Sequence, residues 1–136
     1  MSLEELIFED KEIDMKLVSS DLLAFIGDAF YSLYIKTKLI VRGDLKAGVV
    51  HEKAKERVFS KAQAISLEKL LDFLNESEKS VVRRALNSNG AKRYGNDPYY
   101  RKSTAFEALL GYHYLSKNFD RLNQLLKEVE RCSCTE

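Results

Sequence analysis

The run AFIGDAFYSLYIK, residues 24–36, is apolar enough for the middle of a buried helix, yet Gly27 and Asp28 stand side by side within it. Glycine costs a helix interior about 1 kcal/mol relative to alanine, and aspartate is a poor helix former. A carboxylate among buried apolar neighbours costs more again unless something pairs with it. A second run, STAFEALLGYHYL at 103–115, repeats the combination, with Glu107 and, four residues on, Gly111.

Outward from these two runs the pattern is helical. Ser19 or Ser20 is a good N-cap, and the first long helix is expected to run from there to about Leu39, with VRGD at 41–44 as a turn. A helix near 46–60 turns Val49, Val50, Ala54 and Val58 inward, and one over 61–74 does the same with Ile65, Leu67, Leu70, Leu71 and Leu74. Asn75 and Glu78 spell a capping box for the next. Residues 88–102, SNGAKRYGNDPYYRK, read as one long irregular stretch, and loops of that length in a compact domain are often functional. Helices over about 103–116 and 120–131 close the chain. No stretch alternates as a strand would, so the expectation is an all-α helical bundle.

With 136 residues, 45% of them apolar and 32% charged, the chain is one globular domain over 1–136, with an acidic segment at 1–18 and a short tail at 132–136. Its apolar runs fall below the roughly 18 residues a membrane span needs, and the acidic start is unlike a signal peptide. A soluble, cytoplasmic protein is the expectation. Cys132 and Cys134 are too close together for an ordinary staple and lack the other ligands of a zinc site, which reads as two reduced thiols on a mobile tail.

The net charge of +1 hides an asymmetry. Six acids within residues 1–14 face Lys11 alone, while Arg83, Arg84, Lys92, Arg93, Arg101 and Lys102 face Asp97 alone. Blocks of one sign are either solvated faces or meeting places for a partner of opposite charge.

Spacing alone leaves two readings of the acids open. Thr104 to Glu107 has the form of a capping box, and Asp28 would pair with a cation elsewhere. Alternatively, glycine lets another backbone approach closely, and the two acids would meet as an oxygen-rich site suited to Mg²⁺, which supplies the missing charge. Asp21, two helical turns before Asp28, would be an outer member.

FIGDAFYSLYIK (25–36) resembles the signature helix of ribonuclease III domains, and STAFEALLGYHYL resembles the second catalytic segment of the same fold. The likeness continues through VHEKAKERVFSKAQA (50–64) and VVRRALNS (81–88), about residues 20–117 in all. It is closer to the Mini-III subgroup, which consists of the catalytic domain without a double-stranded-RNA-binding domain. The resemblance implies an all-α endonuclease domain that forms a homodimer through its signature helices. It implies Mg²⁺-dependent cleavage of double-stranded RNA, leaving 5′-phosphate and 3′-hydroxyl ends, and for the subgroup maturation of the large-subunit ribosomal RNA precursor. Asp28 and Glu107 match the two core metal-binding and catalytic acids. Full-length enzymes carry a glutamate where this chain has Ala24, an aspartate where it has Thr104, and an acid close to Arg42; Mini-III enzymes share the first two losses. Fewer fixed carboxylates hold metal more weakly, which leaves one or two ions open.

A-form RNA is recognised largely through its backbone and shape. Arg84, Asn87, Lys92, Arg93, Arg101 and Lys102 are the residues expected to meet it, with Tyr94, Tyr99 and Tyr100 either stacking on RNA or packing on their own domain. Lys61 and Gln63 are further RNA-contact candidates or structural residues. His51 suits a helix face or an RNA-facing role, and Tyr112, His113 and Tyr114 suit core and helix surface. Two other classes compete: a non-catalytic ribonuclease III-like dimer that binds RNA or a ribosomal partner, and a helical protein–protein adaptor. The paired acid–glycine helices speak against the adaptor.

Overall fold

The structure, a computed structural model, describes residues 1–133, with side chains to residue 131. The thiols of Cys132 and Cys134 and the tail expected at 132–136 lie outside the described residues, apart from the end of the last helix. Seven α-helices and two short 3₁₀ turns make up the described fold, with no strand among the described residues. They are α1 (Leu3–Phe8), α2 (Ser20–Val41), α3 (Ala47–Val58), α4 (Ser60–Leu70), α5 (Glu76–Leu86), α6 (Pro98–Leu115) and α7 (Phe119–Ser133).

Helix α6 is the axis of the bundle. Ala105, Phe106, Ala108, Leu109, Leu110, Gly111 and His113 are all buried, and α2, α4, α5 and α7 pack around it. A helix surrounded in this way has no polar stripe, as its all-round apolar composition requires. Helix α2 begins where Ser19 accepts a hydrogen bond from the Leu22 N–H at 3.1 Å. The capping box of α5 is present, with Asn75 and Glu78 bonding each other's backbone at 2.9 and 2.8 Å.

Three expectations are corrected. Helix α6 starts at Pro98, five residues early, because Asp97 accepts from the Tyr99 and Tyr100 N–H groups and proline occupies N1, where its missing N–H costs nothing. The irregular stretch therefore shrinks to residues 87–97. Thr104 is then mid-helix and bonds back to the Tyr100 carbonyl at 3.0 Å, so it caps nothing and Glu107 has no capping role. Val49, Ile65 and Leu71 face outward, because the inner face of α3 runs through Val50 and Ala54 and that of α4 through Gln63, Ala64, Leu67 and Leu70.

The acidic N-terminal segment is itself ordered. Phe8 is buried against Tyr114 and Phe119, with ring centroids 5.5 and 6.5 Å away, which ties α1 to the far end of α6. No helix among the described residues is long and apolar enough to cross a membrane.

Candidate active site

Helices α2 and α6 cross at their two glycines. A Cβ on Gly27 would overlap the backbone carbonyl oxygen of Glu107 and lie 3.0 Å from the Gly111 nitrogen. A Cβ on Gly111 would likewise overlap the carbonyl oxygen of Leu23. Each helix thus rests on the backbone of the other, an approach that only glycine permits. Asp28 and Glu107 flank this crossing and line the same cleft, close enough for the Asp28 carboxyl to act on that of Glu107.

The cost anticipated for Asp28 falls elsewhere: its side chain is exposed at the mouth of a cleft, whereas Glu107 is mostly buried. Burial first, and then the neighbouring Asp28, push the Glu107 carboxyl up to about 9, while the amide of Gln63 beside it works in the opposite direction. Without a cation the pair therefore carries a proton at neutral pH.

The cleft, about 270 Å³, is lined by Asp21, Ala24, Asp28, Gly90, Arg93, Thr104 and Glu107, together with Phe25 and Tyr100. Ala24 and Thr104 thus stand in the same cleft as the acids. Asp21 also faces it, but its Oδ1 accepts the Gly90 N–H at 3.1 Å, and a Cβ on Gly90 would collide with that carboxylate. This bond ties segment 87–97 to the start of α2. Among the described residues no group of three His, Cys, Asp or Glu side chains has the geometry to hold a metal. Two hard carboxylates from separate helices remain, open to solvent on one side. That donor set fits Mg²⁺, which keeps several waters and binds through one or two carboxylates plus substrate phosphate.

The basic residues divide by their surroundings. Arg93 lines the cleft, and Arg84 and Lys92 are exposed. Arg101 is committed within the molecule: its Nε donates to the Leu86 carbonyl at 3.0 Å and Nη2 to Asn87 Oδ1 at 3.3 Å, closing the end of α5. Lys102 pairs with Glu68 at 2.5 Å. Tyr94 and Tyr100 pack edge to face at 4.7 Å, and Lys61 stands 5.8 Å from the centroid of the Tyr99 ring. Gln63, in contrast, is buried behind Glu107, where RNA does not reach it. His51 lines a separate groove with Ile40, Leu45 and Val50.

His113 is not a surface residue. Its Nε2–H donates to Glu78 at 2.6 Å, and Arg121 clasps the same carboxylate at 2.8 Å through Nε and Nη2. Burial alone would raise Glu78, but Arg121, the Asn75 N–H and His113 outweigh it and hold the carboxyl at about 2. This cluster joins α5, α6 and α7 on the side chain of one fully buried acid.

The pattern of a ribonuclease III domain matches residues 21–118 of this chain, a range that includes the glycine crossing and both acids. The chain belongs to the ribonuclease III domain family. Within it, the chain is 42% identical to Mini-ribonuclease 3 of Kosmotoga olearia, over 83% of its own length and 78% of that protein's. It is 45% identical to Mini-ribonuclease 3 of a Thermoanaerobacter species, over 77% and 75%, and 38% identical to that of Streptococcus pneumoniae, over 84% and 92%. The crystal structure of protein FN1578 from Fusobacterium nucleatum superimposes with a TM-score of 0.76 at 27% identity, covering 90% of this chain and 99% of that one. The chain is accordingly a ribonuclease III-type endoribonuclease.

Proposed function

We propose that this protein is a Mg²⁺-dependent endonuclease of double-stranded RNA that works as a homodimer and matures the large-subunit ribosomal RNA precursor. The observation that carries the reading is the meeting of Asp28 and Glu107 across the Gly27–Gly111 crossing. Asp28 and Glu107 would hold the ion; when bound, Mg²⁺ supplies positive charge to the scissile phosphate and acidifies a bound water. The two helices hold both carboxylates in place before substrate arrives, so little reorganisation is needed during reaction. Arg93, on the cleft wall, and the exposed Arg84 and Lys92 suit the RNA backbone. Arg101, Asn87 and Lys102 act at one remove in this reading, by fixing segment 87–97 and the start of α6.

Pairing of two copies is supported by α2, which leaves Leu22, Phe25 and Leu33 exposed at 56, 75 and 67%. Beside them Ile26, Ala29, Phe30 and Tyr114 line a shallow apolar groove. Two copies joined here would present two clefts, one for each strand of a duplex.

The test is a labelled RNA duplex, including a ribosomal precursor stem, incubated with Mg²⁺ or EDTA. Asp28→Asn is expected to lose cleavage by about 10²–10³-fold while still binding the duplex, because electrostatic stabilisation of the reacting phosphate goes and the backbone contacts stay. Wild-type turnover by Asp28→Asn refutes the assignment. Duplex binding without cleavage by the wild type would move the reading to the non-catalytic dimer.

A further inference from the structure

Gln63 has no part in the function argued so far, yet it occupies an unusual place. It sits in the first turns of α4, on the face that packs against α6, and is only 1% exposed. Its Nε2 closes no hydrogen bond among the described residues. A buried donor left unpaired costs about 1–3 kcal/mol, so such a group calls for a reason. The functional group beside it is the carboxyl of Glu107. An amide N–H can only donate to that carboxyl, and it donates best when the carboxyl is an anion. A carboxylate that coordinates a cation through one oxygen leaves its other oxygen free to accept from a donor packed behind it, and the buried amide of Gln63 is that donor.

We propose that Gln63 is a positioning residue, whose amide N–H holds one carboxylate oxygen of Glu107 and so aims the other into the cleft toward a divalent cation. It touches neither substrate nor ion. The unpaired donor is the other half of the same arrangement: cation binding at the front of Glu107 completes a hydrogen bond at its back. Ser66, one turn further along α4, already satisfies its own hydroxyl on the Ala62 carbonyl at 3.2 Å and does not compete. The inference rests on the reading of Asp28 and Glu107 as cation ligands.

The experiment is calorimetric titration of the full chain with Mn²⁺, without RNA, beside thermal unfolding in EDTA. Four proteins are compared: wild type, Asp28→Asn, Gln63→Met and Gln63→Glu. Methionine keeps the volume and loses the donor. Its Mn²⁺ dissociation constant is expected to rise about 10-fold or more, the usual effect of removing a group that orients a metal ligand. Its melting temperature in EDTA stays close to that of wild type, since the donor had no partner there. A residue that merely fills space would leave Mn²⁺ affinity within about two-fold whatever the melting temperature does, and that result overturns the inference. If Gln63→Met does not fold, the near-isosteric Gln63→Glu decides: an acceptor in place of the donor weakens Mn²⁺ binding, and unchanged or tighter binding overturns it. The wild type and Asp28→Asn separate the two levels. If wild type binds no Mn²⁺, or Asp28→Asn binds it equally well, the cation-ligand reading fails and this inference with it. If only the Gln63 variants bind normally, this inference fails alone.

Discussion

Replacing Gly27 by alanine adds one carbon at the point where α2 and α6 touch backbone to backbone. That carbon would lie 2.6 Å from the Glu107 carbonyl carbon and 3.0 Å from the Gly111 nitrogen. Carbon atoms pack comfortably at about 3.5–4.0 Å, and the added carbon also overlaps the Glu107 carbonyl oxygen, so the helices must part by at least about 1 Å. No flexible side chain can give way, because every one of the three nearest atoms belongs to the backbone. Overpacking costs about 1–3 kcal/mol and occasionally more, and a rigid contact belongs at or above the top of that range. The gain in helix propensity returns about 1 kcal/mol, leaving a net loss of about 2–4 kcal/mol. The same displacement carries Asp28 away from Glu107, and a misplacement of about 1 Å in a reacting constellation costs about 10²-fold in rate. Gly48, in the first turn of α3, is the internal control: a Cβ there meets nothing within 4 Å. Gly48→Ala should be neutral or stabilising by up to about 1 kcal/mol, with full activity. Urea unfolding and single-turnover cleavage of the three proteins measure both effects. A Gly27→Ala protein as stable and as active as Gly48→Ala would refute the reasoning.

Two further outcomes follow from the acids. In EDTA the carboxyl of Glu107 stays protonated up to about 9 in the folded protein, against an ordinary value of 4.5. A raised folded value means stability that is full below 4.5 and lost as pH rises towards 9. Each pH unit in that window removes at most about 1.4 kcal/mol, so wild type should lose up to about 4 kcal/mol relative to Glu107→Gln between pH 5 and 8; parallel melting curves in EDTA would contradict this. Glu78 behaves oppositely, because its carboxyl is held at about 2. Its contribution is present above 4.5 and disappears as pH falls through 2, and Glu78→Gln, which leaves Arg121 without its counter-ion, should cost about 3 kcal/mol in urea unfolding at pH 7. A loss below about 1 kcal/mol would show that the Glu78–His113–Arg121 cluster contributes little.

Much of the fold was legible because it depends on local chemistry. Ser19 and Asn75 stand where caps are needed, and apolar spacing set the number and order of the main helices. The start of α6 was legible too, in the pair Asp97–Pro98, but the tyrosines, glycines and bases around it read as a loop. That misreading created a capping role for Glu107 that mid-helix Thr104 does not support. The core positions of α4 went partly astray for a different reason: Ile65 and Leu71 are apolar, and only the direction of the neighbouring helices decides which stripe faces in. His113 gave no sign of its place beside Glu78, since the two are far apart in sequence and neither residue type is usually buried.

By itself the sequence determined that the described fold is all-helical, where the caps of α2 and α5 lie, and that an acid and a glycine recur together on two helices. Those are properties of single segments, set by hydrogen-bonding termini and by periodicity. Only the tertiary structure decided what the pairs are for. Gly27 and Gly111 are the contact between α2 and α6, Asp28 is the exposed acid and Glu107 the mostly buried one, and Gln63 stands behind the acid rather than in front of RNA. Each of these depends on how closely α2, α4 and α6 approach one another, a distance fixed by packing between segments remote in the chain.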